Sequence, residues 1–226
     1  MKAIDLLKQL QQDPEYIARQ KDKQKELEKK EKEIKLAEIP FIKEVQKSGF
    51  KEIKQSSDLL KYKSIPEQLT NILIRWIPQI NNDNHSQEIL IRALAISEVA
   101  FDGKFLIDLF DKNSPSFSLK WAIGNTIASA NVLNIDTWIE KKLMSPNQGK
   151  ENEMLIYAAM KYLPYSKSHL LLRSVFDIYP LQVADAFTYI GKMDDFEFLS
   201  AKSKNYQGDV RAEIEKSLKD LEKKIK

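Results

Sequence analysis

Leu119-Lys120-Trp121-Ala122 is a short stretch that returns along the chain, first as Leu90-Ile91-Arg92-Ala93 and later as Leu155-Ile156-Tyr157-Ala158 and Leu181-Gln182-Val183-Ala184. A looser copy, Asp209-Val210-Arg211-Ala212, lies near the end. Residues three apart share one face of a helix. The leucine is therefore expected to enter a core, while the alanine lets a neighbouring helix approach closely. A recurring Leu-x-x-Ala thus predicts helices that stack on one another.

Working outward, each copy follows a turn, and before the turn lies another apolar-periodic segment. The segments pair as 66–79 with 86–98, 101–112 with 117–130, 134–144 with 151–163, 167–177 with 180–191, and 193–202 with 208–225. The first helices start 35, 33, 33 and 26 residues apart. Asn81-Asn82-Asp83-Asn84, Ser114-Pro115-Ser116 and Pro146-Asn147-Gln148-Gly149 supply helix stops and caps between partners. Pro66 and Pro180 stand where a first helical turn tolerates proline. With few glycines and prolines and little strand signal, the expectation is an all-α fold, an α-solenoid of about five helix pairs over 66–226.

The second helices resemble the HEAT-repeat family, an armadillo-like group of α-solenoids whose second helix carries an Asp-x-x-Val-Arg-x-x-Ala type of motif. Asp209-Val210-Arg211 shows it most plainly, Arg92 supplies the same arginine, and Trp121, Tyr157 and Val183 replace it in the other copies. In that family the second helices line a concave, partner-binding face. The resemblance therefore implies a ladder of Arg92, Trp121, Tyr157, Val183 and Arg211, with Asn125, Lys161 and Phe187 one turn further on, bordering a groove for a protein or peptide. Trp, Tyr and Arg are the residue types that dominate interface energetics. The competing reading is that Trp121 and Tyr157 fill the core between repeats.

Residues 1–65 form a different region. Residues 3–11 read as a short amphipathic helix, and Asp13-Pro14 as an N-cap followed by proline at the first helical position. From 14 to about 38 the chain is saturated with charge, with Glu15/Arg19, Glu26/Lys30, Glu28/Lys32 and Glu31/Lys35 spaced for i,i+4 pairing. Tyr16, Ile17, Leu27 and Ile34 are too sparse for a sustained coiled-coil seam. Pro40 is expected to kink or end this helix, with Phe41, Ile42 and Val45 resuming it before Ser48-Gly49. The region is expected to cap the solenoid or to project as an arm. Its Asp13-Pro14-Glu15-Tyr16 start and charged leading helix are also similar to those of small bacterial HEAT-repeat proteins.

Chemistry finds little footing. There is no cysteine, hence no disulfide and no thiolate site, which fits a reducing compartment and, with no apolar leader or membrane-length run, an expected cytoplasmic location. His85 and His169 are the only histidines, without a second ligand at local spacing, and no phosphate loop or nucleophile elbow occurs. No metal, cofactor or catalytic residue is expected. Asp194-Asp195 with Glu197 reads as acid in a first helical turn, facing the positive end of the helix dipole. The same logic assigns Lys141-Lys142 and Lys223-Lys224 to helix C-termini.

Residues 1–65 carry 16 Lys/Arg against 12 Asp/Glu and residues 66–226 carry 20 against 21. That balance weighs against a phosphate backbone as the ligand. The sequence expectation is accordingly a non-catalytic protein-binding scaffold. The alternative is a nucleic-acid protein like the HEAT-like DNA glycosylases, with Trp121, Trp138 and Tyr157 as aromatics and Arg92 and Lys161 as charge.

Overall fold

The computed structural model describes residues 12–80, 85–112, 116–146 and 149–226. The expected helix at 3–11, the Asn81–Asn84 turn, and residues 113–115 and 147–148 lie outside them. The described chain is predominantly helical. A long helix, α1 (Pro14–Lys47), leads through a 3₁₀ turn (Ser56–Lys61) into α2 (Glu67–Trp76) and α3 (His85–Leu94). Then follow α4 (Lys104–Phe110) with α5 (Phe117–Ser129), α6 (Asp136–Leu143) with α7 (Leu155–Tyr162), α8 (Tyr165–Ser174) with α9 (Pro180–Ile190), and α10 (Met193–Ser203) with α11 (Gly208–Ile225). No described helix is long and apolar enough to cross a membrane.

The second member of each pair packs on the second member of the next, α3 on α5, α5 on α7, α7 on α9 and α9 on α11, and each also packs on its own first helix. Small side chains make the approach possible. Ala93, Ala122, Ala158 and Ala184 are all buried, and a Cβ on Gly124 of α5 would come within 2.9 Å of Met154 Cβ at the start of α7. Leu90, Leu119 and Leu155 are buried beside them as the spacing predicts, but Leu181 is 38 % exposed. In α9 the buried face is Val183, Ala184, Ala186 and Phe187, and Leu181, one position into the first turn, falls outside that arc.

Lysines bind consecutive second helices at their ends. Lys161 Nζ of α7 reaches the carbonyls of Ser129 at 2.9 Å and Ala130 at 2.6 Å, where α5 leaves its last carbonyls unsatisfied. Lys224 of α11 does the same for the Tyr189 carbonyl of α9.

One edge carries a short parallel ladder. The segments leading into successive first helices run parallel to one another, Ile65 bridging Ser97, and β1 (Phe101–Asp102) pairing with β2 (Val132–Leu133). Residues 101–102, expected to open a helix, are extended because their backbone groups find ladder partners here, Phe101 N–H donating to Asn131 O at 3.1 Å and Gly103 N–H to Leu133 O at 2.9 Å. Asn134, at φ 61, takes the left-handed conformation beyond β2 and donates from its amide to Asp102 at 2.7 Å.

Helix α1 continues through Pro40, so the end that the proline offered is not taken. Proline removes one hydrogen bond to the carbonyl four residues back. Both Leu36 and Pro40 face solvent, so that carbonyl is open to water rather than buried without a partner, while Phe41, Ile42 and Val45 bury the turns that follow. The buried Glu38 carboxylate ties α1 down, accepting from Ser56 N–H at 2.9 Å and from the Ser56 and Ser86 hydroxyls at 2.5 Å each. Residues 17–33, by contrast, are exposed throughout.

Two outcomes follow from this packing. A methyl group on Gly103 would meet Ile135 Cγ2 at 2.2 Å and Val132 Cγ1 at 2.7 Å, so Gly103→Ala is expected to lower unfolding free energy by about 1–3 kcal/mol in denaturant melts. In native-state hydrogen exchange, amides of residues 17–33 are expected to exchange far faster than those of 41–46, because only the latter are held by buried contacts.

Candidate partner-binding surface

Of the residues the ladder was drawn from, three are brought together. Arg92 donates to Glu88 Oε1 from Nε at 2.9 Å and Nη2 at 2.7 Å, and its guanidinium lies 5.2 Å from the centre of the Trp121 ring. Trp121 Nε1 donates to Glu153 Oε1 at 2.9 Å, and Gln182 Nε2 donates to the other oxygen of the same carboxylate at 3.1 Å. A continuous polar and aromatic line therefore crosses from α3 over α5 and the start of α7 to α9. Tyr157, one turn beyond Glu153, hydrogen-bonds Asp185 of α9. Burial and that carboxylate together push its phenol well above the usual tyrosine range. Trp121 and Tyr157 are thus half-buried, their polar ends tied to the next helix and one side left to solvent.

The remaining members separate. Val183 and Phe187 are completely buried, Phe187 packing edge-on against Phe198 at 6.4 Å, so neither offers a surface to a partner. Their burial has the same origin as the exposure of Leu181: in α9 the residue before the alanine points into the core. Lys161 is committed to the end of α5, and burial lowers its pKa. Asn125 is half-buried one turn after Trp121, and Arg211 pairs with Glu215 within α11 at 2.7 Å. Trp138 belongs to α6, where it donates to Asp111 at 2.8 Å, on a first helix apart from this line.

On α9 the outward column is Leu181, Gln182, Asp185 and Tyr189, and it forms one wall of a groove of about 550 Å³. Tyr157 closes one side and Glu213, Lys216 and Asp220 of α11 the other. Tyr189 is 62 % exposed there. The sequence contained a signal for this column, since 181, 185 and 189 recur every fourth residue opposite Val183 and Phe187.

The other sequence candidates are structural. Asp195 is buried, accepts from Lys192 N–H at 3.0 Å at the start of α10, from Tyr165 OH at 3.0 Å and from Arg173 Nε at 2.9 Å. Asp194 and Glu197 stay in solvent. His85 is exposed at the start of α3, and His169 lies against Tyr165 on α8 with ring centres 4.9 Å apart. Among the described residues no group of His, Asp and Glu is arranged to hold a metal ion. No family model matches the chain, and no curated protein and no solved structure matches it either.

The tyrosines give this arrangement a pH signature. The phenols of Tyr157 and Tyr165 both have raised pKa values in the folded protein, Tyr165 at about 12, through burial and an adjacent carboxylate. Their contribution to stability is therefore complete below the unfolded value of about 10 and is lost as pH rises through the folded values. Phenolate absorbance is expected to show a late-ionising fraction that shrinks in Tyr157→Phe and merges with the ordinary tyrosines on unfolding.

Proposed function

We propose that the five helix pairs form a HEAT-like α-solenoid and that the protein is a non-enzymatic scaffold, working in the cytoplasm, that binds a segment of another protein along its second helices. The succession of second-helix contacts and the buried repeat alanines support the architecture. The groove beside α9 carries the functional reading. Leu181 and Tyr189 stay exposed in a concavity where the same helix buries Val183 and Phe187. Aromatic and aliphatic side chains kept in solvent within a concave, polar-rimmed site are the usual anchors of a protein contact.

The nucleic-acid alternative has less support from the same groove. Of its ionisable walls, Glu213 is paired with Lys216 and Asp220 with Lys223, so the charge left to face a phosphate is the negative one of Asp185. Arg92 and Lys161, the cations proposed for that role, are already paired with a carboxylate and with helix carbonyls.

A photo-crosslinking residue placed at Tyr189 in living cells is expected to give a discrete protein adduct, whereas the same residue at Leu170, exposed on the first helix α8 and outside the groove, gives none. Equal labelling from both positions, or none from Tyr189, rules the scaffold reading out.

A further inference from the structure

Glu153 and Asp185 differ from the carboxylates around them. From residue 85 onward, the other half-buried carboxylates each have a lysine or arginine within ion-pair distance: Glu88 has Arg92, Glu140 has Lys167, Glu151 has Lys120, Glu215 has Arg211 and Glu222 has Lys226. Glu153 accepts only from the indole of Trp121 and the amide of Gln182, and Asp185 from the phenol of Tyr157. Among the described residues neither has a cationic partner. All three donors are neutral, so two negative charges remain uncompensated in a partly desolvated setting. An approaching cation is worth more there than on the open surface.

The surroundings suit such a cation. Asp185 sits in the wall of the groove, and Glu153 lies directly behind Gln182, another wall residue. Across the groove Glu213 is paired with Lys216 at 3.2 Å and Asp220 with Lys223 at 2.8 Å, so the charge left without an ion pair is that of Asp185 and Glu153. Tyr189 offers an exposed ring face on which an ammonium or guanidinium can stack, and Leu181, two turns earlier and about 12 Å along the helix, offers an apolar contact. The volume falls within the range of sites that enclose a small ligand or a few side chains.

Building on the scaffold reading, we propose that this groove is the specificity site, and that it recognises a lysine or arginine next to an apolar residue in an extended segment of a partner protein. The cationic head is placed between Asp185 and the Gln182-masked Glu153, its stem crosses Tyr189, and the apolar neighbour rests on Leu181. Charge complementarity selects the partner. A segment rich in Glu or Asp, or a nucleic acid, meets like charge.

The test uses short fluorescent peptides that alternate arginine with leucine or lysine with leucine, and glutamate with leucine as the opposite-charge control, titrated with the full chain and followed by anisotropy. The basic peptides are expected to bind and the acidic one not to. Glu153→Gln together with Asp185→Asn keeps side-chain size and most hydrogen bonding while removing both charges, and is expected to weaken binding at least tenfold with an unchanged thermal melt. Tyr189→Ala supplies a second variant on an exposed residue that the fold does not use. Unchanged affinity in both variants, or equal binding of the acidic peptide, overturns the proposal.

The result is separable from the scaffold reading. A Tyr189 adduct whose contact segment is acidic or neutral keeps the scaffold and overturns the basic-segment assignment. If sedimentation shows a dimer that dissociates in the double variant, the occupant is the lysine-rich helix of a second copy, and the assignment to a different protein is overturned.

Discussion

The structure depends on how closely its second helices approach one another. At each junction an alanine, or Gly124 beside Ala122, removes the side-chain bulk that would hold the backbones apart, and larger apolar residues interdigitate around the gap. Everything else is conditional on that distance. Trp121 reaches Glu153, Gln182 reaches the same carboxylate, and Lys161 reaches the end of α5 only because consecutive second helices lie side by side. The polar line across the surface is thus a product of the core beneath it rather than an independent feature.

The junctions are reinforced by groups that would otherwise be a liability. Helix ends carry unsatisfied carbonyls and linkers carry unsatisfied amides. Here Lys161 and Lys224 take carbonyls of the preceding second helices, and the linkers entering α2, α4 and α6 pair with one another. At these places the loose ends of one unit are satisfied by its neighbour. Such reciprocity couples adjacent pairs, so that one does not open without exposing polar groups of the next.

The helical elements were legible in the sequence because their signal is local. Leu-x-x-Ala, the capping serine before α5 and the prolines opening α2 and α9 act within one turn, and the helices lie within a few residues of where the spacing put them. The short parallel ladder was not legible, since Ile65 with Ser97 and Phe101 with Val132 are pairings across some thirty residues that no local pattern encodes. Helix rotation was hidden for a related reason. Whether Val183 or Gln182 faces outward depends on how α9 is turned against α10 and α11, and a motif counted from its alanine carries no information about that angle. Arg92, Trp121 and Tyr157 are all half-buried, whereas Val183 at the matching position of α9 is not. Phe187 was misplaced because α9 buries that face.

The absence of a break at Pro40 has a geometric consequence. Helix α1 is fixed at Glu38 and the residues that follow, and it is continuous back to Pro14, a further 24 residues. At 1.5 Å per residue its free end stands about 36 Å from the anchor. A helix anchored at one end and bare along the rest adds charged, exposed surface at a distance from the packed helices without adding to the core beneath them.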